Sequence, residues 1–189
     1  MAGETDEQLM ARAMRGNHAA LACLVERYYA SVLAYLYRLV GQNRPLAEDL
    51  AQEAFLRLLQ QETYDPRRAF RPWLFAIATN LARDHFKSAA TRHTQPGLEG
   101  AALVAMADAA PGPEERALTS EQGAAVAVAI GQLSEEYRVA ILLRFYHGLS
   151  IQEIAQALDI PLGTVKSRLS VGTRRLRTLL VDASQGAHP

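Results

Sequence analysis

Residues 149–177, LSIQEIAQALDIPLGTVKSRLSVGTRRLR, read as two short helices joined by a tight turn. Ser150 followed three residues later by Glu153 forms a capping box, which starts the first helix at Ile151. Ile151, Ile154, Ala155 and Leu158 fall on helical spacing and are expected to face a core. Asp159, Ile160 and Pro161 supply the turn, and a second helix is expected from about Leu162 to Leu180. It carries Lys166, Arg168, Arg174, Arg175 and Arg177, with no acidic residue before Asp182, while Val165, Leu169, Leu176 and Leu179 form a separate buried stripe. A helix-turn-helix lays such a second helix in the major groove, and the residues near its N-terminus meet base edges. The pattern points to double-stranded DNA. It also fits a helical hairpin whose basic outer face is only solvated.

The composition suits an all-α protein. Aromatic residues make up 7% of the 189 residues and β-branched runs are scarce, whereas Ala, Leu, Arg, Gln and Glu abound. The length allows one medium domain or two small ones. The single cysteine, Cys23, excludes an internal disulfide and any paired-cysteine metal motif. The N-terminus is acidic with no apolar signal core, and no run is expected to reach membrane-spanning length. The chain is therefore expected to be soluble and intracellular, with no membrane insertion. The net charge of zero conceals a partition. Residues 66–93 hold six cations against Asp84, residues 94–136 hold seven anions against Arg116, and residues 162–181 are basic again. Local fields of this kind, not the total, steer nucleic acid.

Further capping signals organise the N-terminal half. Thr5 with Gln8 opens a helix ending at Gly16, and Asn17 caps the next, with Leu21, Leu24, Val25, Tyr28, Val32, Leu36 and Leu39 in phase up to Gly41. Pro45 starts a third helix with Leu50, Ala54, Leu58 and Leu59 inward and Glu48, Asp49, Gln52, Glu53 and Arg57 outward. Pro72 sits in the first turn of a fourth. On that fourth helix Trp73, Ala76, Asn80, Arg83 and Lys87 share one face, with Leu74, Ile77, Ala78 and Leu81 beside it for packing. An indole, a carboxamide and two cations in a row suit a single strand: a stacking plate, hydrogen bonds to a base edge, charges for the backbone. The preceding loop adds Tyr64, Arg67, Arg68, Phe70 and Arg71. The alternative is that Trp73 and Phe70 are core aromatics and the arginines a solvated rim. Helices are expected again near Glu115–Gln132 and Ser134–Tyr146. The expected organisation is a four-helix N-terminal domain (1–93), a flexible acidic linker (94–112) rich in Pro, Gly and Ala, a C-terminal helix-turn-helix domain (113–182) and a loose tail (183–189).

Three segments in this order, AEDLAQEAFLRLLQ (47–60), WLFAIATNLARDHFK (73–87) and LSEEYRVAILLRFYHGLSIQEIAQALDIPLGTVKSRL (133–169), closely resemble the extracytoplasmic-function group of bacterial sigma factors. The resemblance implies a non-enzymatic subunit that binds core RNA polymerase through the β′ clamp helices and the β subunit, and directs promoter recognition and opening. It implies that Asp49, Gln52, Glu53 and Phe55 on the third helix dock on the clamp helices, where exposed carboxylates suit arginines. It implies that Tyr64, Arg67, Arg68, Phe70, Arg71, Trp73, Asn80, Arg83 and Lys87 hold the non-template strand of the −10 element, with a flipped base near the loop and Asn80. Thr164, Lys166, Ser167 and Arg168 would read the −35 element, with Arg174 and Arg175 nearer phosphate. An anti-sigma partner is implied as well. The chain departs from the group at Ser170-Val171-Gly172-Thr173, where relatives carry an aromatic or basic residue and then Arg-Ala-Arg. Gly172 inside a helix costs about 1 kcal/mol relative to alanine, and Val171 offers no donor, so base contacts are expected to concentrate at Lys166–Arg168.

The competing readings are an autonomous helix-turn-helix regulator and an enzyme. Five scattered histidines (His18, His85, His93, His147, His188), no metal-ligand spacing and no glycine-rich phosphate loop argue against catalysis, metal or cofactor.

Overall fold

The computed structural model describes residues 4–60, 64–65, 68–93 and 121–185. Arg67, the expected linker 94–112, the start of the helix expected near Glu115 and residues 186–189 lie outside the described residues. The described chain forms eight helices: α1 (Asp6–Ala13), α2 (His18–Leu39), α3 (Arg44–Gln60), α4 (Phe70–His93), α5 (Glu121–Gln132), α6 (Glu135–Ile141), α7 (Ile151–Leu158) and α8 (Leu162–Gln185). A π-helical turn, Leu142–Tyr146, continues α6. No strand occurs among the described residues, as the composition requires.

The helix starts follow the local chemistry. Thr5 Oγ1 accepts from Gln8 N while Thr5 N donates to the Gln8 side chain, and Asn17 Oδ1 accepts from Ala20 N at 3.0 Å. The Ser150–Glu153 box is likewise reciprocal, with distances of 2.7 and 3.1 Å. Asp159 ends α7 in the left-handed region at φ 51°, where a short polar side chain is among the few non-glycine residues tolerated. α8 runs on to Gln185, so residues 183–185 are helical and not tail.

The N-terminal helices bury Leu24, Val32, Leu36, Leu58, Leu74 and Phe75 completely. Two buried polar groups among them are paired. Tyr35 Oη and Thr79 Oγ1 lie 2.7 Å apart, and Thr79 Oγ1 donates to Phe75 O. α2 corrects one sequence expectation. Its 22 residues, with a hydropathy of 1.2 over the best window, are long and apolar enough by composition to cross a membrane. Here Leu21, Leu24, Tyr28, Val32, Tyr35, Leu36 and Leu39 are buried against the neighbouring helices. α3 corrects another: Leu59, expected inward, is 49% exposed and Leu56 is 52% exposed, because Ala51, Ala54, Phe55 and Leu58 already fill the packing side.

The two helical domains share one continuous core. His147, just after the π-helical turn, inserts its ring between Tyr35 (centroids 5.4 Å, perpendicular) and Phe75 (4.9 Å). Its Nδ1 lies 3.1 Å from Ser31 Oγ, and Arg71 donates to its carbonyl oxygen. Arg138 of α6 donates to Leu39 O at 3.1 Å and to Leu133 O at 2.9 Å, tying α6 to the C-terminus of α2. α7 packs along α4.

Gly172 has a packing reason that its sequence context hid. It is buried where α6 crosses α8, and a Cβ there would sit 3.2 Å from Ile141 Cγ1 and 3.3 Å from Tyr137 Cβ. The helix-propensity cost is accepted in exchange for close approach of the two backbones. Gly172→Val is expected to lower stability by about 2 kcal/mol, the middle of the range for overpacking. Denaturant unfolding measures this; unchanged stability would mean that α6 and α8 can part freely.

Candidate nucleic-acid interface

The helix-turn-helix is built from Ser150 to Gln185. α7 buries Ile154, Ala157 and Leu158, the αL residue Asp159 reverses the chain, and α8 begins at Leu162 with Val165 buried beneath it. The N-terminal turns of α8 then face outward. Lys166 and Ser167 are exposed, Thr164 is half-buried, and Arg168 keeps a fifth of its side chain exposed while pairing with Glu136 (Nη2–Oε2 3.4 Å). Arg174 is exposed, and Arg175, also exposed, lies over the Tyr137 ring at 4.8 Å. Val171 is half-buried and points no polar group outward. Within Thr164–Arg168 the exposed side chains are therefore Lys166 and Ser167, and beyond it Arg174 and Arg175 are exposed as well.

α4 supplies the second surface. Asn80 and Lys87 are exposed and Arg68, in the loop before α4, is exposed too. Trp73 is half-buried; Arg71 and Arg83 are half-buried and both already engaged by the C-terminal domain, Arg83 Nε meeting Glu135 Oε1 at 2.9 Å. Two expected strand-holding aromatics are interior in this structure. Phe70 is fully buried between Tyr28 (5.5 Å) and Trp73 (5.8 Å), and Tyr64 is buried against Trp73 at 4.8 Å, with its hydroxyl donating to Arg68 O at 2.9 Å. The core reading of Phe70 is the one observed. These rings brace the indole edge; the exposed polar side chains of the expected set are Arg68, Asn80 and Lys87. A groove of about 650 Å³ separates the two surfaces, lined by Arg68, Trp73 and Ala76 on one side and Gln156, Asp159 and Leu162 on the other.

α3 presents Asp49 and Gln52 to solvent, with Glu53 in an i,i+4 pair with Arg57 at 3.0 Å. Phe55 is buried against Tyr29 (5.6 Å). The exposed hydrophobics on this helix are Leu56 and Leu59, which sequence reasoning missed because it assigned the stripe by apolarity alone. No cluster of residues suited to a metal occurs among the described residues.

The geometry thus defines a class: a protein of two small helical domains, the second of which carries a helix-turn-helix. Comparison with known proteins agrees. Residues 24–92 match the model of sigma-70 region 2, and residues 124–176 match that of sigma-70 region 4. The chain is 34% identical over 175 residues to the ECF RNA polymerase sigma factor SigW of Bacillus subtilis, covering 89% of this chain and 92% of that one. It is 35% identical to the RNA polymerase sigma-H factor of Pseudomonas aeruginosa, covering 88% and 89%. Among solved structures it superposes on CnrH in complex with the cytosolic domain of CnrY, with a TM-score of 0.69, 27% identity and coverage of 95% and 99%. The chain belongs to the extracytoplasmic-function family of RNA polymerase sigma factors. It is accordingly a DNA-recognition subunit and not an enzyme. An autonomous regulator is not favoured, because the matches cover both regions in sigma-factor order.

The seam between the domains holds a strongly perturbed imidazole. Burial, together with the Arg38 and Arg71 charges, pushes the His147 pKa down from 6.5 to about 4. Its Nε2 is buried with no hydrogen-bond partner among the described residues. A neutral ring is the only form this site accommodates without further cost. Because the folded pKa lies below the unfolded one, acidification protonates the unfolded chain first. Stability is then lost as pH falls from about 6.5 to about 4 and levels off below, by an amount on the order of 3 kcal/mol. His147→Gln is expected to flatten that part of the stability–pH curve. An unchanged slope in the variant would assign it to other groups.

Proposed function

We infer that this chain, as an alternative sigma factor, reads the −35 element as duplex through Thr164, Lys166, Ser167 and Arg168, and opens and holds the −10 element through Arg68 and, on α4, Arg71, Asn80, Arg83 and Lys87. The observation that carries the reading is the coexistence of two unlike nucleic-acid surfaces in one chain, an exposed helix start on α8 and a carboxamide-and-cation face on α4. A major-groove helix suits the first, and unstacked bases suit the second. Asp49 and Gln52, one to three turns before the exposed Leu56 and Leu59 on α3, are the contacts to the polymerase clamp: an apolar pair beside a polar, partly acidic edge. The site of action is the cytoplasm, where polymerase and promoters are. An anti-sigma partner that bridges the two domains fits the groove between α4 and the helix-turn-helix.

Distance adds a condition. Elements centred near −10 and −35 are separated by about 25 base pairs, or about 85 Å at about 3.4 Å each. Two domains of this size, each with a radius of gyration of about 12 Å, cannot span that while in contact. The closed arrangement described above is therefore a resting form, and polymerase draws the domains apart as it takes up the clamp and β contacts.

Initiation by purified chain with core polymerase is the primary test. Transcription from a specific set of genomic fragments is expected, and none from any fragment would refute the reading. Arg168→Ala is expected to weaken recognition in the −35 region by about 1–3 kcal/mol; an equal loss on all sequences would make it a phosphate contact. Asn80→Ala is expected to impair promoter opening more than closed-complex binding, and unchanged permanganate reactivity near the start site would contradict that.

A further inference from the structure

Two consecutive residues at the start of α6, Glu135 and Glu136, each hold an arginine of a different reading surface. Glu135 Oε1 accepts from Arg83 Nε of α4 at 2.9 Å, and Glu136 Oε2 lies 3.4 Å from Arg168 Nη2 of α8. Adjacent positions on a helix point about 100° apart, so one step of chain serves both domains. The placement is enforced from beneath. Arg138, one turn on, has its guanidinium anchored on Leu39 O and Leu133 O, which sets α6 against the N-terminal domain. On the other side Gly172 lets α8 approach Tyr137 and Ile141 closely, which brings Arg168 within reach.

The simpler account is that two acidic residues in a first turn favour the helix dipole. That account does not explain where their side chains go. In α7 the first-turn Glu153 folds back to accept from Ser150 N. In α6 the N-cap Ser134 makes no side-chain cap bond, and the carboxylates reach outward to arginines of other helices. A carboxylate offers a guanidinium one negative charge shared over two acceptor oxygens, as a backbone phosphodiester does.

We propose that Glu135 and Glu136 form a carboxylate clasp that occupies the promoter-contacting arginines Arg83 and Arg168 in the closed chain and competes with DNA for them. The proposal rests on the assignment of those arginines to promoter contacts. Both pairs are partly exposed, with side-chain exposures of 26% and 43% for Arg83–Glu135 and 21% and 46% for Arg168–Glu136. Each is therefore weak enough for DNA phosphate to displace, and the clasp sets a threshold that polymerase binding lowers by removing α6 from α4. Glu136 stays with Arg168 when the domains part, since both belong to the C-terminal domain. It tunes −35 affinity in the holoenzyme as well, whereas Glu135 acts only in the closed form.

The test uses the full chain and a promoter on which it initiates with core polymerase, as the −35 duplex and as the −10 non-template oligonucleotide. Glu136→Gln is expected to tighten duplex binding, and Glu135→Gln oligonucleotide binding, each by about two- to fivefold, the size of a partly exposed ion pair. Glu26→Gln, the same charge change at an exposed position of α2, is expected to leave both unchanged. The gain from Glu135→Gln should vanish on an Arg83→Ala background, and that from Glu136→Gln on an Arg168→Ala background. A role confined to the helix dipole would instead lower the melting temperature with no gain in DNA affinity. Equal gains with and without the arginine, or an equal gain in Glu26→Gln, would reduce the effect to net charge and overturn the clasp. If Arg83→Ala and Arg168→Ala themselves cost no promoter binding, it is the assignment of those arginines that fails.

Discussion

The described structure depends on a desolvated imidazole. His147 fills the space between Tyr35 and Phe75, and the C-terminal helices join the N-terminal core through it. Its ring must be neutral to sit there, since Arg38 and Arg71 face it and Nε2 has no partner among the described residues. Around this point the polar contacts fall into register: Ser31 on the ring, Arg71 on the His147 carbonyl oxygen, Arg138 on the end of α2. Each is modest, about 0.5–1.5 kcal/mol net for an ordinary hydrogen bond and somewhat more for a charged donor. A seam of such contacts can hold two domains together at rest and still be opened by a larger interface.

That balance gives the neutral net charge a meaning. Glu135 and Glu136, from the acidic stretch between the two basic zones, are paired inside the molecule with an arginine of each zone, Arg83 and Arg168. On the proposed assignment of those arginines, affinity for DNA in the free chain is held below what the cations alone would give.

Much of the fold was legible in the sequence because its decisive signals are local. The Thr5–Gln8 and Ser150–Glu153 boxes, the Asn17 cap and the 3.6-residue stripes of α2, α7 and α8 fix helix starts and faces without tertiary information. What could not be read depends on which partner reaches a position first. Leu59 has the right spacing for a core yet lies outside, since Phe55 and Leu58 already fill the contact. Tyr64 and Phe70 carry the residue types of a stacking surface yet lie inside, packed on Trp73 and Tyr28. Gly172 looked like a defect in a reading helix and is a crossing point of α6 and α8. The union of the two domains through His147 has no sequence periodicity at all, because it joins residues more than a hundred positions apart. On α8 the helical phase was legible: Val165 is buried while Lys166 and Ser167 are exposed, as the stripe spacing requires.

The central claim is that the free chain is closed and that polymerase opens it. Cys23 is the sole cysteine and is exposed on α2, so it accepts one dye, with a second at an added Ser170→Cys on α8. Energy transfer between the two is expected to report a short, single distance in the free protein and a lengthening of several tens of ångströms on adding core polymerase, consistent with the roughly 85 Å between promoter elements. A free protein already at the long distance, or no change on adding polymerase that supports initiation, would contradict it.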